Sequence, residues 1–281
     1  MANSPHFHLT SIFDSELTQS YVKDGFVLVD QLITNEVQDE IRTDLEKINQ
    51  GHYDGSTIDP VDWPLDDQRL LSRYMYIGQP HTYSSTIRQY INHPNLCRIL
   101  DLIVGANVPF WNGAYKCVQT MFVTKKPGGN GSPWHQDESA IPTRDRSLTG
   151  VWIALSDATI NNGCLWIIPN SHKSGVIYKR YVHDLPDVDS MPIARGFNDS
   201  EALPIEMSAG SVLFFSGYLL HNSKKNYSGQ SRPALTIHYS SANTLLPWHG
   251  ENNYRGIIPI KGKDPYELEG YVDPSPWSKL E

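Results

Sequence analysis

Trp134-His135-Gln136-Asp137 and, far downstream, Leu220-His221-Asn222-Ser223 followed by Arg232 are the stretches of this chain whose residue types and spacing could do chemistry. A His-x-Asp pair plus a distant His offers two imidazoles and one carboxylate. That is the ligand set of a facial iron site, which leaves one face of an octahedron open for a co-substrate and oxygen. Arg232 lies eleven residues beyond His221. Its planar guanidinium suits a dicarboxylic 2-oxo acid, gripped through paired hydrogen bonds that a Lys does not reproduce. In a strand, positions i and i+2 point to the same side, so His135 and Asp137 can face one metal. A lone His-x-Asp is a weak signal, and His221 is one of eleven histidines; the weight rests on the joint order of His-x-Asp, His and Arg.

Elements able to position these residues can be read around them. Asp24 is followed by Gly25-Phe26-Val27-Leu28-Val29-Asp30, a strand pattern after a short helix over residues 15–24. Thr34 or Asn35 caps a second helix on which Val37, Ile41, Leu45 and Ile48 recur at helical spacing, with Gly51 as its stop. Further helices are expected near 84–92 and 95–104, split by Pro94. Beyond residue 107 the pattern turns to short apolar, β-branched runs: Val108–Trp111, Tyr115–Lys125, Thr149–Ser156, Cys164–Pro169, Pro204–Met207, Ser211–Ser216 and Pro233–Ser240. Gly-, Asn- and Pro-rich turns separate them. The expectation is an α+β, mainly β fold: a jelly-roll core with N-terminal helices packed outside it. One domain is expected, with a loose arm over 1–12, helical support over 13–106, the core over 107–245 and an extension over 246–281. The long polar stretch 178–202 has the length of a lid.

Composition narrows the partners. The chain has 281 residues, 39% hydrophobic, with seven Trp, fifteen Tyr and eight Phe, enough for a large core. Its net charge is −8, without a run of Lys or Arg, so no nucleic-acid partner is expected. No apolar stretch reaches membrane-spanning length, and Cys97, Cys117 and Cys164 are widely spaced. Three reduced thiols in a cytoplasmic protein that acts on a small molecule are the expectation. The ending Ser-Lys-Leu-Glu is not a peroxisomal Ser-Lys-Leu address.

The segments Trp134-His135-Gln136-Asp137, Gly150-Val151-Trp152-Ile153-Ala154-Leu155, Gly163-Cys164-Leu165-Trp166-Ile167-Ile168-Pro169-Asn170-Ser171-His172 and His221-Asn222-Ser223 with Arg232 closely resemble the phytanoyl-CoA dioxygenase family. The phrase Asp24-Gly25-Phe26-Val27-Leu28-Val29 is similar to it as well. The resemblance runs over roughly residues 15 to 245. It implies a double-stranded β-helix, Fe(II), 2-oxoglutarate as co-substrate, O2, and ascorbate as a supporting reductant. It implies His135, Asp137 and His221 as iron ligands, and Arg232 with Ser223 as binders of the far carboxylate. Gln119 and Trp152 fall where such enzymes place further oxo-acid contacts. By alternation Gln119 shares a face with Cys117, Met121 and Val123; the plain alternatives are a solvent-facing Gln119 and a core Trp152. Asp137 is a carboxylate, unlike the small residue of related halogenases. The implied reaction is oxidation, by default hydroxylation, of an unactivated C–H bond of a small metabolite, with release of succinate and CO2. A non-catalytic jelly-roll that binds a metal or ligand is the alternative. A zinc hydrolase is less favoured, because no H-E-x-x-H occurs and hydrolysis has no use for Arg232. Trp134, Glu138, Arg144, Arg146, Tyr178, Lys179 and Arg180 are expected near the mouth. His172 is read as a turn residue, and His238 as packed or supporting the metal residues.

Overall fold

A computed structural model describes residues 6–8, 14–65, 67–71, 73–246 and 256–267. The helices lie in the amino-terminal part of the chain: α1 (Asp14–Asp24), α2 (Asn35–Gln50), α3 (Gln68–Leu71), α4 (Ser85–Tyr90) and α5 (Pro94–Ile103). Thr34 caps α2 by accepting from Val37 N, and Gly51 ends it. Pro94 occupies the first turn of α5, where a missing N–H costs nothing. Ile41, Leu45 and Ile48 on α2, and Leu96, Ile99, Leu100 and Ile103 on α5, form the apolar stripes that both helices bury.

Before, among and after the helices run β1 (His6–His8), β2 (Phe26–Asp30), β3 (Tyr76–Gly78), β4 (Tyr115–Lys125), β5 (Thr149–Ala154) and β6 (Leu165–Ile167). Then follow β7 (Arg180–Tyr181), β8 (Ile193–Ala194), β9 (Leu203–Ile205), β10 (Val212–Ser216), β11 (His221–Ser223), β12 (Arg232–Ser241) and β13 (Ile258–Lys261). The large sheet has the order β1-β2-β10-β5-β12-β4-β13, with β3 also on β4. The small sheet is β11-β6-β9, and β7 with β8 makes a separate hairpin.

The large sheet is buried on both faces, which is why its strands read as continuous apolar runs. Val27, Val29, Val151, Ile153, Val212, Phe214, Leu235 and Ile237 face the helices. The alternate residues Phe26, Leu28, Trp152, Ala154, Leu213, Phe215 and Ala234 face the small sheet, together with Cys164, Ile167 and Ile205. The second cluster is the interior of the barrel, and the reactive residues stand at its open end.

Several boundaries differ from expectation. Residues 6–8 are not part of a loose arm: β1 pairs in parallel with β2. The core is wider than 107–245, because β2 and β13 are strands of the same sheet. Val108–Trp111 is not a strand: Pro109 lacks an N–H, and Phe110 has φ 59 with its side chain exposed. On β4, Gln119 pairs with His238 but Cys117 pairs with Tyr239, so Val118 is an inserted bulge residue. The bulge flips the alternation. Cys117 joins the helix-facing core, while Met121 and Val123 face the barrel end.

Gly150 on β5 ties the sheet to the site. A Cβ there would lie 2.4 Å from Phe215 Cζ, and the Phe215 ring sits edge-on to His221 at 4.9 Å. Gly150→Ala should therefore push Phe215 toward His221. The expected result is a loss of about 1–3 kcal/mol of unfolding free energy by denaturant titration, the usual scale for overpacking, together with weaker metal binding at His221.

Candidate active site

His135 and His221 are held beside each other by backbone. His135 N donates to His221 O at 3.0 Å, and His221 N donates to His135 O at 3.1 Å. Such a reciprocal antiparallel pair places both side chains on one face of the ladder, and the two ring centroids are 4.1 Å apart. Each ring is oriented by a carbonyl two residues earlier: His135 Nδ1 donates to Pro133 O at 2.8 Å, and His221 Nδ1 to Leu219 O at 3.0 Å. With the proton on Nδ1, both Nε2 lone pairs are free to face a metal.

Asp137 completes the group. It begins a 3-10 turn, Asp137–Ser139, and does not continue the strand, so the i, i+2 strand argument covers only the extended backbone up to Gln136. Its Oδ1 lies 3.7 Å from His135 Nε2 and 3.6 Å from His221 Nε2. One ligand atom from each of the three residues falls within 4.8 Å of the others. Its other oxygen, Oδ2, accepts from His238 Nε2 at 2.9 Å. Burial alone would raise the Asp137 pKa, but His221, His238 and His135 outweigh it and hold the carboxyl well below the usual range. Burial, reinforced by His221, pushes His135 down to about 4. At neutral pH the group is one carboxylate with a neutral His135, the protonation that metal binding requires.

Gln136 points the other way and braces the site. Its Nε2 donates to Val176 O at 2.9 Å and Tyr218 O at 2.8 Å, and its Oε1 accepts from Tyr178 N at 2.9 Å. Periodicity carries no sign of this, because any buried Gln between two ligands reads as a spacer.

Arg232 lies at the start of β12 and is 1% exposed. Its Cζ sits 5.0 Å from the centre of the Trp152 ring. Its Nε and Nη1 are buried without a hydrogen-bond partner among the described residues. Burial pulls its pKa down to about 10, with Cys164 and Tyr76 opposing the shift. Ser223 faces the same space: its Oγ is 2.8 Å from Ser132 Oγ and accepts from Lys125 Nζ at 2.7 Å. The cavity is lined by the three metal-facing residues together with Ser223, Arg232, Trp152, Thr236, His238, Met121, Tyr76 and Met191. Gln119 pairs with His238 and stands outside this lining.

The segment over 178–202 is folded against the site. Gly131 N donates to Asp187 O, Asp189 N to Gly131 O and Ala194 N to Trp134 O, all at 2.8 Å. Tyr76 Oη donates to Asp189 Oδ2 at 2.8 Å, and Lys225 Nζ to Asp187 Oδ1 at 2.6 Å. This strap carries Met191 into the cavity lining. Of the expected mouth residues, Trp134 packs edge-on against Phe197. Glu138 is not at the mouth: buried, it braces its own loop by accepting from Thr143 Oγ1 at 2.9 Å and Arg144 N at 2.6 Å. His172 is structural, its Nε2 meeting Val22 O at 3.1 Å.

The donor set fits a hard to borderline divalent metal: two imidazoles and one monodentate carboxylate, with no thiolate among the three. The unpartnered guanidinium fits a carboxylate ligand. A buried cation without an acceptor is costly, and a bidentate carboxylate would satisfy it.

A family model described as phytanoyl-CoA dioxygenase matches residues 21–234. The chain is 39% identical over 122 residues to a phytanoyl-CoA dioxygenase of Arabidopsis thaliana, covering 43% of each chain. It is 39% identical over 140 residues to phytanoyl-CoA dioxygenase 1 of Oryza sativa subsp. japonica, covering 48% of this chain and 50% of that one. These matches span about half the length of those curated relatives. A longer match, 23% identical over 94% of this chain and 80% of the other, is to the peroxisomal phytanoyl-CoA dioxygenase of Rattus norvegicus. The fold is that of the epimerase SnoN, crystallised with Fe3+, alpha ketoglutarate and nogalamycin RO (TM-score 0.63, 17% identity, 89% of this chain and 96% of that one). It is also that of the alpha ketoglutarate dependent carbocyclase SnoK (TM-score 0.64, 18% identity, 93% and 98%).

His238 should matter to the metal without touching it. Removing its N–H by His238→Leu leaves Asp137 Oδ2 without this donor. Metal affinity should fall about 10- to 100-fold, the usual effect of losing such support, in a titration with Mn(II), while the unfolding midpoint changes little.

Proposed function

We propose, from the premise that this chain belongs to the phytanoyl-CoA dioxygenase family of non-haem iron and 2-oxoglutarate oxygenases, that it oxidises an unactivated C–H bond of a small-molecule metabolite, by default to an alcohol, with release of succinate and CO2. The observation that carries this reading is the His135–Asp137–His221 group facing one cavity with the unpartnered guanidinium of Arg232. A jelly-roll that bound a metal alone would have no need of that second feature.

His135, Asp137 and His221 would hold a ferrous ion, which when bound would supply the redox chemistry that couples decarboxylation of 2-oxoglutarate to oxidation of the substrate by O2. The chain's own contribution is positioning and exclusion of water. Backbone pairing and the two carbonyls fix the imidazoles with Nε2 toward the metal position. His238 occupies Asp137 Oδ2 and leaves Oδ1 for the metal. Arg232 is the fork for the far carboxylate of 2-oxoglutarate, and Ser223 adds a hydroxyl. The Trp152 ring, 5.0 Å from Arg232 Cζ, gives the guanidinium a cation–π neighbour. The strap bearing Met191 shields the reacting atoms from solvent. No nucleic acid or membrane is part of this reading.

With Fe(II), ascorbate and 2-oxoglutarate, the purified protein should form succinate, most rapidly with its own substrate. His135→Ala and Asp137→Ala should abolish it. Arg232→Ala should raise KM for 2-oxoglutarate by about 100-fold or more, the scale of a lost charge-assisted pair. Stoichiometric binding of metal and 2-oxoglutarate with no succinate across a metabolite screen would favour the non-catalytic alternative. Undiminished turnover in the His135 and Asp137 variants would remove the assignment.

A further inference from the structure

Lys125, at the end of β4, is a second buried basic residue beside the cavity, with 0% exposure. Its Nζ donates to Ser223 Oγ at 2.7 Å and also to Lys224 O. Ser132 N, 3.2 Å away, donates to the same Ser223 oxygen. Two donors therefore occupy the acceptor lone pairs of Ser223 Oγ, and its own proton must go outward, either to Ser132 Oγ or to an acceptor in the cavity. Space for the ammonium is built in. Gly163 has φ +81, and a Cβ there would lie 2.9 Å from Lys125 Cδ and 3.1 Å from Nζ.

We propose that Lys125 is a positioning residue for the far carboxylate of the 2-oxo acid: through Ser223 it presents a hydroxyl proton to that carboxylate, and its ammonium adds a second positive charge next to Arg232. The inference rests on the reading of the cavity as a 2-oxoglutarate site.

A proton should move with the ligand. Burial, then the charge of Arg232, pushes the Lys125 pKa down to about 6, with Asp189 and Cys164 opposing. Lys224 turns its own ammonium away, over Trp166 at 5.1 Å. Asp189 is engaged by the Tyr76 hydroxyl. Burial keeps Cys164 at about 12, and Arg232 stays near 10. Of these neighbours, neither Cys164 nor Arg232 changes charge between about pH 6.5 and 9, the window between the depressed value of Lys125 and the ordinary lysine value. Before binding, Lys125 is a neutral amine in this window. When a carboxylate arrives it takes a proton from solvent and becomes ammonium. Linkage fixes the sign: binding with proton uptake weakens as pH rises.

The test uses protein loaded with Mn(II), so that no turnover is needed, and calorimetric titration with 2-oxoglutarate in two buffers of different ionisation enthalpy. Wild type should take up close to one proton per ligand near pH 8, and its affinity should fall up to about tenfold per pH unit above pH 7. Lys125→Met should bind 2-oxoglutarate about tenfold or more weakly, lose the proton uptake and the pH dependence, and keep its Mn(II) affinity within about twofold. Equal loss of Mn(II) and 2-oxoglutarate affinity would make Lys125 a strut of β11 and overturn the proposal. So would unchanged 2-oxoglutarate binding in Lys125→Met. If that variant does not fold, the wild-type titration decides alone, and pH-independent binding without proton uptake overturns the proposal. Wild type that fails to bind 2-oxoglutarate at any pH removes the parent reading as well. Binding that depends on Arg232 but not on Lys125 removes this inference only.

Discussion

One backbone contact governs the rest of the site: the two-way hydrogen bond between His135 and His221. Residues 86 positions apart in the chain become neighbours because their peptide groups pair, not because their side chains attract. Imidazoles with no metal between them have little reason to converge, and burial disfavours charging His135. The ladder contact imposes the convergence before any ligand arrives. It also explains why β11 is only three residues long yet fully buried: its register to β6, His221 opposite Ile167, sets which residue reaches the cavity. A one-residue slip would present Asn222 instead.

The second organising element is β12. Its alternation divides two tasks between two faces. Leu235, Ile237 and Tyr239 pack among the helix-facing core. Arg232, Thr236 and His238, on the opposite face, line the cavity, and Ala234 between them keeps that face low within the barrel cluster. One strand thus fixes the separation between the guanidinium and the group that holds Asp137. Both are buried in a sheet with neighbours on each side, β5 and β4, so their spacing is as rigid as the ladder itself.

Much of this was legible in the sequence, for physical reasons that also mark where it stopped. Strands buried on both faces announce themselves as apolar runs, so Phe26–Asp30, Thr149–Ala154 and Val212–Ser216 were readable. Caps and stops at Thr34, Gly51 and Pro94 bracket helices by local chemistry alone. The order His-x-Asp, His, Arg named the residues that meet. What failed was whatever depends on a partner far away. The bulge at Val118 exists only relative to β12, and it moved Cys117 to the other face. Val108–Trp111 has strand composition but no strand beside it among the described residues, and Pro109 with Phe110 turns the chain instead. Gln136 and Lys125 gave no periodic signal, because a buried polar residue is explained only by the acceptors it finds. His238 was placed near the metal residues, but its contact with Asp137 Oδ2 follows from the β12 register.

The cavity is also where the fold gives up stability. A helix-facing position on the same sheet holds a Val or Ile, whereas this end buries Arg232 without partners on Nε and Nη1, Lys125 at a depressed pKa, and His238 with an unpartnered Nδ1. Each feature costs about 1–3 kcal/mol or more on general grounds, and none improves packing. A barrel selected only for stability would replace them with aliphatic side chains, which the neighbouring cluster of Trp152, Ala154, Phe215 and Ala234 could accommodate. Two basic groups side by side in a dry pocket raise the cost of charging both, and an anionic guest reverses that sign for both at once. The unsatisfied groups therefore describe the guest: an anion whose charge reaches Arg232 while its other end lies at His135, Asp137 and His221.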